Sequence, residues 1–326
     1  MTIRKDETEL FNSTLGMVEK RNKAIVDAYG ASQERILEKI AKYKLDIEAG
    51  IIRGDFVEAR LVELYKQIDD EVARLITSVS GQIRNGYSDV YVNTYYTEAY
   101  NFEKAVNNLP GLTAGYELNY PLLPTEAVTA AFDERIAGNM FVDRMTDMRQ
   151  DLRFKVRQAV AENIAEGLPV TELRKRIALI DDVYASSRAR AMSAARTELL
   201  SAYSIGQESA TAEAITAGVE FDYIWSSTLD GKVRPDHAKA DHQKAIIKSG
   251  LPSFTVGGVL FSSPRVLHPD NTSAKTAGQI INCRCRRLNI PYGITPTNRV
   301  GLLPSGEWQD LPWTQTADDW FQHHYA

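Results

Sequence analysis

Apolar positions in the first hundred residues recur with helical spacing. Val18, Ile25, Tyr29, Ile36, Ile40 and Tyr43 form one stripe of an amphipathic helix, predicted to run from about Glu7 to about Glu48. Ala49-Gly50 and Arg53-Gly54-Asp55 then punctuate the chain. A second stripe follows at Val57, Leu61, Leu64, Ile68, Leu75, Val79 and Ile83, with close to heptad spacing. Each helix would span about 40 residues, a rod of roughly 50–60 Å. That is more than a compact core of its own requires. The pair therefore reads as an antiparallel hairpin within a helical bundle, as a strut or oligomerisation surface, or as both. Tyr87, Tyr91, Tyr95, Tyr96 and Tyr100 continue at mostly helical spacing, the residue type of a half-buried or partner-facing surface. They lack the interleaved Lys and Arg of a stacking platform for single-stranded nucleic acid.

Asn108-Leu109-Pro110-Gly111 and the prolines at 121 and 124 break the pattern. Thr125 then opens a predicted helix over 125–137, with a further one over 140–166. Thr171 caps a short helix faced by Leu173, Ile177 and Ile180, and Asp181-Asp182 divides it from a long one over Val183–Ala217. After Gly218 the period changes. Val219, Phe221, Tyr223 and Trp225 alternate as one face of a half-buried strand, and Asp230-Gly231 marks a turn. A short helix is expected from His237 to Lys248, capped by Asp236. Gly257-Gly258 between two apolar runs predicts a hairpin. Gly278–Cys285 reads as a last strand carrying both cysteines on one face. These boundaries give an α+β chain in four parts: a long helical hairpin (1–110), a helical domain (111–218), a small mixed α/β module (219–290) and an extended, acidic, aromatic tail (291–326).

Composition adds little about class and more about distribution. The 326 residues are 44% hydrophobic and 25% charged, ordinary for a globular chain, with a net charge of -5. Residues 219–290 hold ten Lys/Arg against six Asp/Glu, whereas the tail holds one against four. The module is thus mildly basic without a dense basic run. The charged N-terminus does not read as a secretory signal, and no stretch reaches the roughly 18 apolar residues of a membrane span. Both cysteines of the chain stand two apart, Cys283 and Cys285, too close for an unstrained bridge, and are expected as reduced thiols or metal ligands. Three of the five histidines, His237, His242 and His268, lie in the same module.

Arg196-Thr197-Glu198 on a helix, Trp225, Asp230-Gly231, Arg234, His237, Asp241, Gly257-Gly258, Pro264 and Asn282-Cys283-Arg284-Cys285 follow one another in order. This succession resembles the head morphogenesis domain of the Mu F-like minor head proteins of phages, over about 188–290. The family usually has a glycine after the aspartate that Asp241 matches; here His242 stands there. The resemblance implies a minor capsid protein of a tailed bacteriophage, located in the virion near the portal vertex. Its partners would be the portal and capsid proteins of the same phage, with phage DNA as a further one during packaging or ejection.

The residues themselves admit three chemistries. The first is a structural polar network of Arg196, Glu198, Trp225, Asp230, Arg234, His237, Asp241 and Asn282, with Arg234 paired to a carboxylate and His237 and Asn282 bonded to backbone and to Asp230. The second is a zinc site of His237, Cys283 and Cys285, with Asp230, Asp241 or His242 as fourth ligand. The third is a cysteine or metal-dependent hydrolase working from Asp230, His237, Cys283 and Cys285. Arg196 and Glu198 would otherwise be solvated helical charge. Arg265, Lys275, Arg284, Arg286 and Arg287 are candidate contacts to DNA phosphates or an acidic partner, or a solvated basic face, as a DNA-binding ejection factor would need. Trp308, Trp313 and Trp320 in the tail are expected to fold back over an apolar surface or to dock into a partner.

Overall fold

A computed structural model describes residues 3–54, 56–107, 118, 120–133, 140–165, 170–274, 276–292, 296 and 298–324, and for 3–8, 163–165, 170–181, 298, 300, 308 and 321 the backbone alone. The helices are α1 (Ile3–Glu48), α2 (Phe56–Asn107), α3 (Thr125–Phe132), α4 (Phe141–Ala165) and α5 (Val170–Thr216), then the short α6 (Pro235–Lys239), α7 (Ala277–Ile280) and α8 (Ala317–His324). The strands are β1 (Phe221–Ser226), β2 (Ile246–Lys248), β3 (Leu251–Val256), β4 (Val259–Ser263), β5 (Val266–Leu267), β6 (Arg286–Pro291), β7 (Asn298–Leu302) and β8 (Trp308–Pro312). The chain divides into two compact units, one of residues 19–85 and 139–195, the other of residues 1–18, 86–138 and 196–326.

The first unit is all helix. Ile25, Ile36, Ile40, Ile68, Val72, Val79 and Ile83 are buried with Leu152, Val156 and Val160 of α4, so the predicted stripes do face a core. Arg21 donates to Gln82 (2.9 Å) and Arg35 to Glu71 (2.8 Å), which makes α1 and α2 antiparallel partners here. Glu71 is buried and takes a second arginine, Arg74, at 2.8 Å, so its charge is neutralised from two sides. The Tyr29 hydroxyl meets Ser187 at 2.9 Å, and Tyr184, whose phenol burial pushes up to about 12, meets Tyr29 edge to face. Between α1 and α2 the chain turns at Gly50, whose φ of +67° ends the first helix.

The second unit sets helices beside the β module. The tyrosine row divides: Tyr87, Tyr91 and Tyr95 are buried, Tyr96 and Tyr100 exposed. Tyr91 meets Ser209 of α5 at 2.9 Å, and Gln207 donates to the buried Glu98 at 2.6 Å. At this crossing Gly206 lies so close to α2 that a Cβ would come within 2.8 Å of the Tyr91 carbonyl oxygen. β1 pairs antiparallel with β6, from Phe221↔Pro291 to Ser226↔Arg286. A four-stranded sheet runs β2-β3-β4-β5, and β7 pairs with β8. The module's core is Trp225, Phe254, Phe261, Ile280, Cys283 and Cys285. The Gly257-Gly258 hairpin forms as expected, with φ of +56° and +77° at its two tight positions.

Three expected elements differ. α5 runs unbroken through Asp181-Asp182. The helix expected from His237 to Lys248 stops at Lys239, because His242 adopts a φ of +64° and the β-branched Ile246-Ile247 pairs with β3. Asp236 does not cap it; the N-cap is Arg234, with no side-chain bond. The strand expected over Gly278–Cys285 is instead α7, a turn at Asn282 (φ +58°) and an extended link, β6 starting only at Arg286. The Ile280-Ile281 pair imitated a strand, but the carbonyls of Cys283 and Cys285 bind an arginine rather than a neighbouring strand. The tail forms the β7–β8 hairpin and α8, with Trp320 folded back and buried beside Leu229, Ala238 and Leu311.

The Gly206 crossing gives a first prediction. Gly206→Ala would ordinarily favour a helix by about 0.5–1 kcal/mol. Here it forces two backbones apart, so the urea midpoint should fall by the equivalent of about 1–3 kcal/mol; an unchanged or raised midpoint would contradict the close approach.

Candidate metal centre

His237 sits on the single turn α6, while Cys283 and Cys285 flank Arg284 on the extended link before β6. The ring Nδ1 of His237 lies 3.3 Å from the Cys285 sulfur and 3.5 Å from the Cys283 sulfur. All three ligand atoms fall within 4.8 Å of one another. The three residues are only 1–2% exposed. Among the described residues this is a His/Cys/Cys cluster able to hold a metal ion.

Arg265 is the cluster's cation. It stands at the β4–β5 turn with a φ of +75°, and it is fully enclosed. One guanidinium nitrogen donates to the carbonyls of Cys283 (3.0 Å) and Cys285 (2.7 Å) and lies 3.8 Å from the Cys283 sulfur. The other donates to Ser204 Oγ of α5 at 2.7 Å. Burial pulls the Arg265 guanidinium below its ordinary value, against the pull of the two sulfurs. Burial by itself would push the Cys283 thiol up, yet its neighbours, the hydrogen bond with Cys285 first and then the charge of Arg265, outweigh it and hold Cys283 below the ordinary thiol range. Cys285 goes the other way, raised by burial and then by the neighbouring Cys283.

The fourth ligands expected from the sequence are elsewhere. Asp230 accepts from Arg284 (2.5 and 2.9 Å) and from the Lys232 amide (2.8 Å). Asp241 accepts from Arg299 at 2.6 Å and from the amides of Ser227 (2.8 Å) and Ala317 (2.7 Å), locking β7 and the start of α8 to the module. His242 stacks on Trp313 and takes a hydrogen bond from Arg299 at 2.8 Å. Short-range ion pairs and amide bonds have claimed all three.

The residues of the expected polar network meet other partners. Arg196 donates to the Asn282 side chain (3.2 Å) and Thr197 accepts from its amide (3.1 Å), so Asn282 is held from α5 rather than by Asp230. Glu198 is buried, not solvated. Arg234 donates to the Ile281 carbonyl, not to a carboxylate. Trp225 packs edge-on against His237, ring centres 5.6 Å apart. The arginines expected on a basic face mostly turn inward: Arg287 is buried and spends its donors on Asn289, Glu208 and Ser262, and Arg286 is buried with its guanidinium over the Phe11 ring. Arg284 is the more open one and pairs with Asp230. Lys275 lies outside the described residues.

Residues 154–288 match the family Phage Mu protein F like protein. Residues 154–288 are thus similar to a phage head-morphogenesis domain, and the match starts earlier than the resemblance at 188 implied, within α4. No curated protein and no solved structure matches the chain. The Mu F-like domain contains the whole His/Cys/Cys cluster together with Arg265, whereas Arg299 and the tail it anchors lie beyond the matched residues. Sequence reasoning missed Ser227, Gln279 and Arg299 as members of these networks. Only Arg299 carried a signal, as the single basic residue of an acidic tail.

The thiol pair sets the second prediction. A group whose folded value is depressed contributes stability that grows as pH rises from that value to the ordinary thiol range, and nothing below it; the raised Cys285 costs stability above that range. In metal-free protein, thiolate absorbance should therefore show one step well below the ordinary thiol range and one well above. Cys283→Ser should abolish the lower step. Two thiols titrating together near the ordinary value would contradict the arrangement.

Proposed function

We propose that this chain is a minor capsid protein of a tailed bacteriophage, associated with the portal vertex, that assists head assembly and DNA packaging or ejection. In this reading it acts in the host cytoplasm during assembly and ends inside the capsid. The observation that carries it is the family match of residues 154–288 to Phage Mu protein F like protein. The enclosure of the domain's chemistry supports it: the groups a hydrolase would use are buried and occupied with one another, as suits a part that holds shape. The portal and capsid proteins of the same phage are the proposed partners, with the antiparallel helices as the proposed reach toward them. No described helix is long and apolar enough to cross a membrane. The inward-facing arginines favour protein contacts over phosphate contacts.

The same reading takes zinc as the ion of the cluster. A tetrahedral zinc with Zn–S near 2.3 Å and Zn–N near 2.0–2.1 Å separates its ligand atoms by about 3.5–3.8 Å, and two of the separations here are 3.3 and 3.5 Å. The donor set, two thiols and an imidazole, is one that zinc favours. Zinc would tie α6 to the link before β6, cross-linking a module whose apolar core is small.

Two measurements test this. Purified full chain should carry about one zinc per molecule, and chelation should lower its thermal midpoint, with Cys283→Ser insensitive to chelator. A particle reconstruction without imposed symmetry should show the protein at the portal vertex; its absence from particles, or turnover of a substrate that His237→Ala abolishes, would replace this reading with the hydrolase.

A further inference from the structure

We infer that Asp236 and Gln279 are positioning residues of the metal centre, fixing which ring nitrogen of His237 faces the sulfurs. The inference rests on the zinc reading above and deepens it.

Gln279, on α7, donates from Nε2 to the Asp236 carboxylate at 3.0 Å. A carboxylate only accepts, so the amide nitrogen must face Asp236 and the amide oxygen must face the other way. That oxygen, Oε1, lies 2.8 Å from His237 Nε2. An amide oxygen also only accepts, so Nε2 must carry a proton. In the neutral ring Nδ1 is then bare, and its lone pair points at the space shared with Cys283 and Cys285. The bare nitrogen and the two sulfurs thus converge on one buried point, where Nδ1 accepts a thiol S–H in the metal-free chain and can bind a metal once the thiols lose their protons.

A second, independent observation shows that the fold makes room for this relay. Gly257, in the β3–β4 turn, has no side chain. A Cβ there would fall 2.2 Å from Gln279 Nε2 and 2.6 Å from the Asp236 carboxylate. The hairpin therefore closes over the Gln279–Asp236 bond with no space to spare. Asp236, at the first turn of α6, leaves the backbone amides uncapped and gives its carboxylate to Gln279 instead. Three separate segments, the α6 turn, the glycine hairpin and α7, meet to orient one imidazole. Both residues act through His237 and touch no metal themselves.

The test uses the full chain with Zn(II), competed against a chromophoric chelator, and with Co(II), whose visible bands report tetrahedral thiolate ligation. Gln279→Met keeps the length and loses the acceptor; it should weaken Zn(II) binding by about 10–100-fold, the range expected when such an outer partner is lost. Gln279→Glu combined with Asp236→Asn keeps an acceptor oxygen for Nε2–H and a donor–acceptor bond between the two side chains, and should recover most of that loss. Long-range proton–nitrogen spectra of the metal-free chain, taken where the ring is neutral, should show the His237 proton on Nε2 in wild type and a mixture in Gln279→Met. A wild-type proton on Nδ1 overturns the relay. So does full Zn(II) affinity in Gln279→Met when wild type shows the Co(II) bands. Absence of those bands in wild type overturns the zinc reading itself.

Discussion

A buried guanidinium must find its counter-charge and its hydrogen bonds inside the protein, and both terminal nitrogens of Arg265 find them in one place, Nε alone lacking a partner. Its donors reach the carbonyls before and after Arg284 and a serine of α5, and its charge faces the Cys283 sulfur. Removing one member of such an enclosed set typically costs about 3–5 kcal/mol, because the remaining charge is stranded. The Cys283–Cys285 link is therefore shaped by an arginine rather than by a strand neighbour. Both sulfurs can then face the same point, toward the ring of His237.

A second enclosed pair, Asp241 with Arg299, works in the same way at the other side of α6. Asp241 holds the amide after β1, the arginine of β7 and the first amide of α8, so one carboxylate gathers three segments. The tail is attached by this pair, by the Trp313–His242 stack and by Trp320. The Mu F-like domain thus has a centre built from its own residues and a separate lock to a segment outside the family match. Each is a buried charge neutralised by a specific geometry, a means of imposing one arrangement on a module with few large apolar side chains.

The thiols and the imidazole of the cluster are enclosed within the module, the ring of His237 edge-on to Trp225. The helical unit is the reverse case. Its charges sit mostly at the surface, apart from Glu71 and Lys44, and its stability comes from stripes of isoleucine, leucine and valine. The module is held by enclosed polar chemistry and the helical unit by apolar packing.

Periodicity alone determined a good deal. The stripes of α1 and α2, the alternation of β1 and the glycine pair of the β3–β4 hairpin were all legible, because each reflects one element's exposure to core and solvent. The residue types of the cluster were legible too, since thiol and imidazole have few other uses in such a polar stretch. What the tertiary structure decided was pairing. Asp230, Asp241 and His242 were equal candidates beside His237, and each was taken by an arginine or an amide. Asn282 is gripped by Arg196 from 86 positions away. Gln279 looked like any surface amide until the fold set it between Asp236 and His237. The inward turn of Arg265 and Arg287 was invisible for the same reason: local pattern reports whether a residue meets water or core, while the partner of a charge is chosen only when distant segments pack.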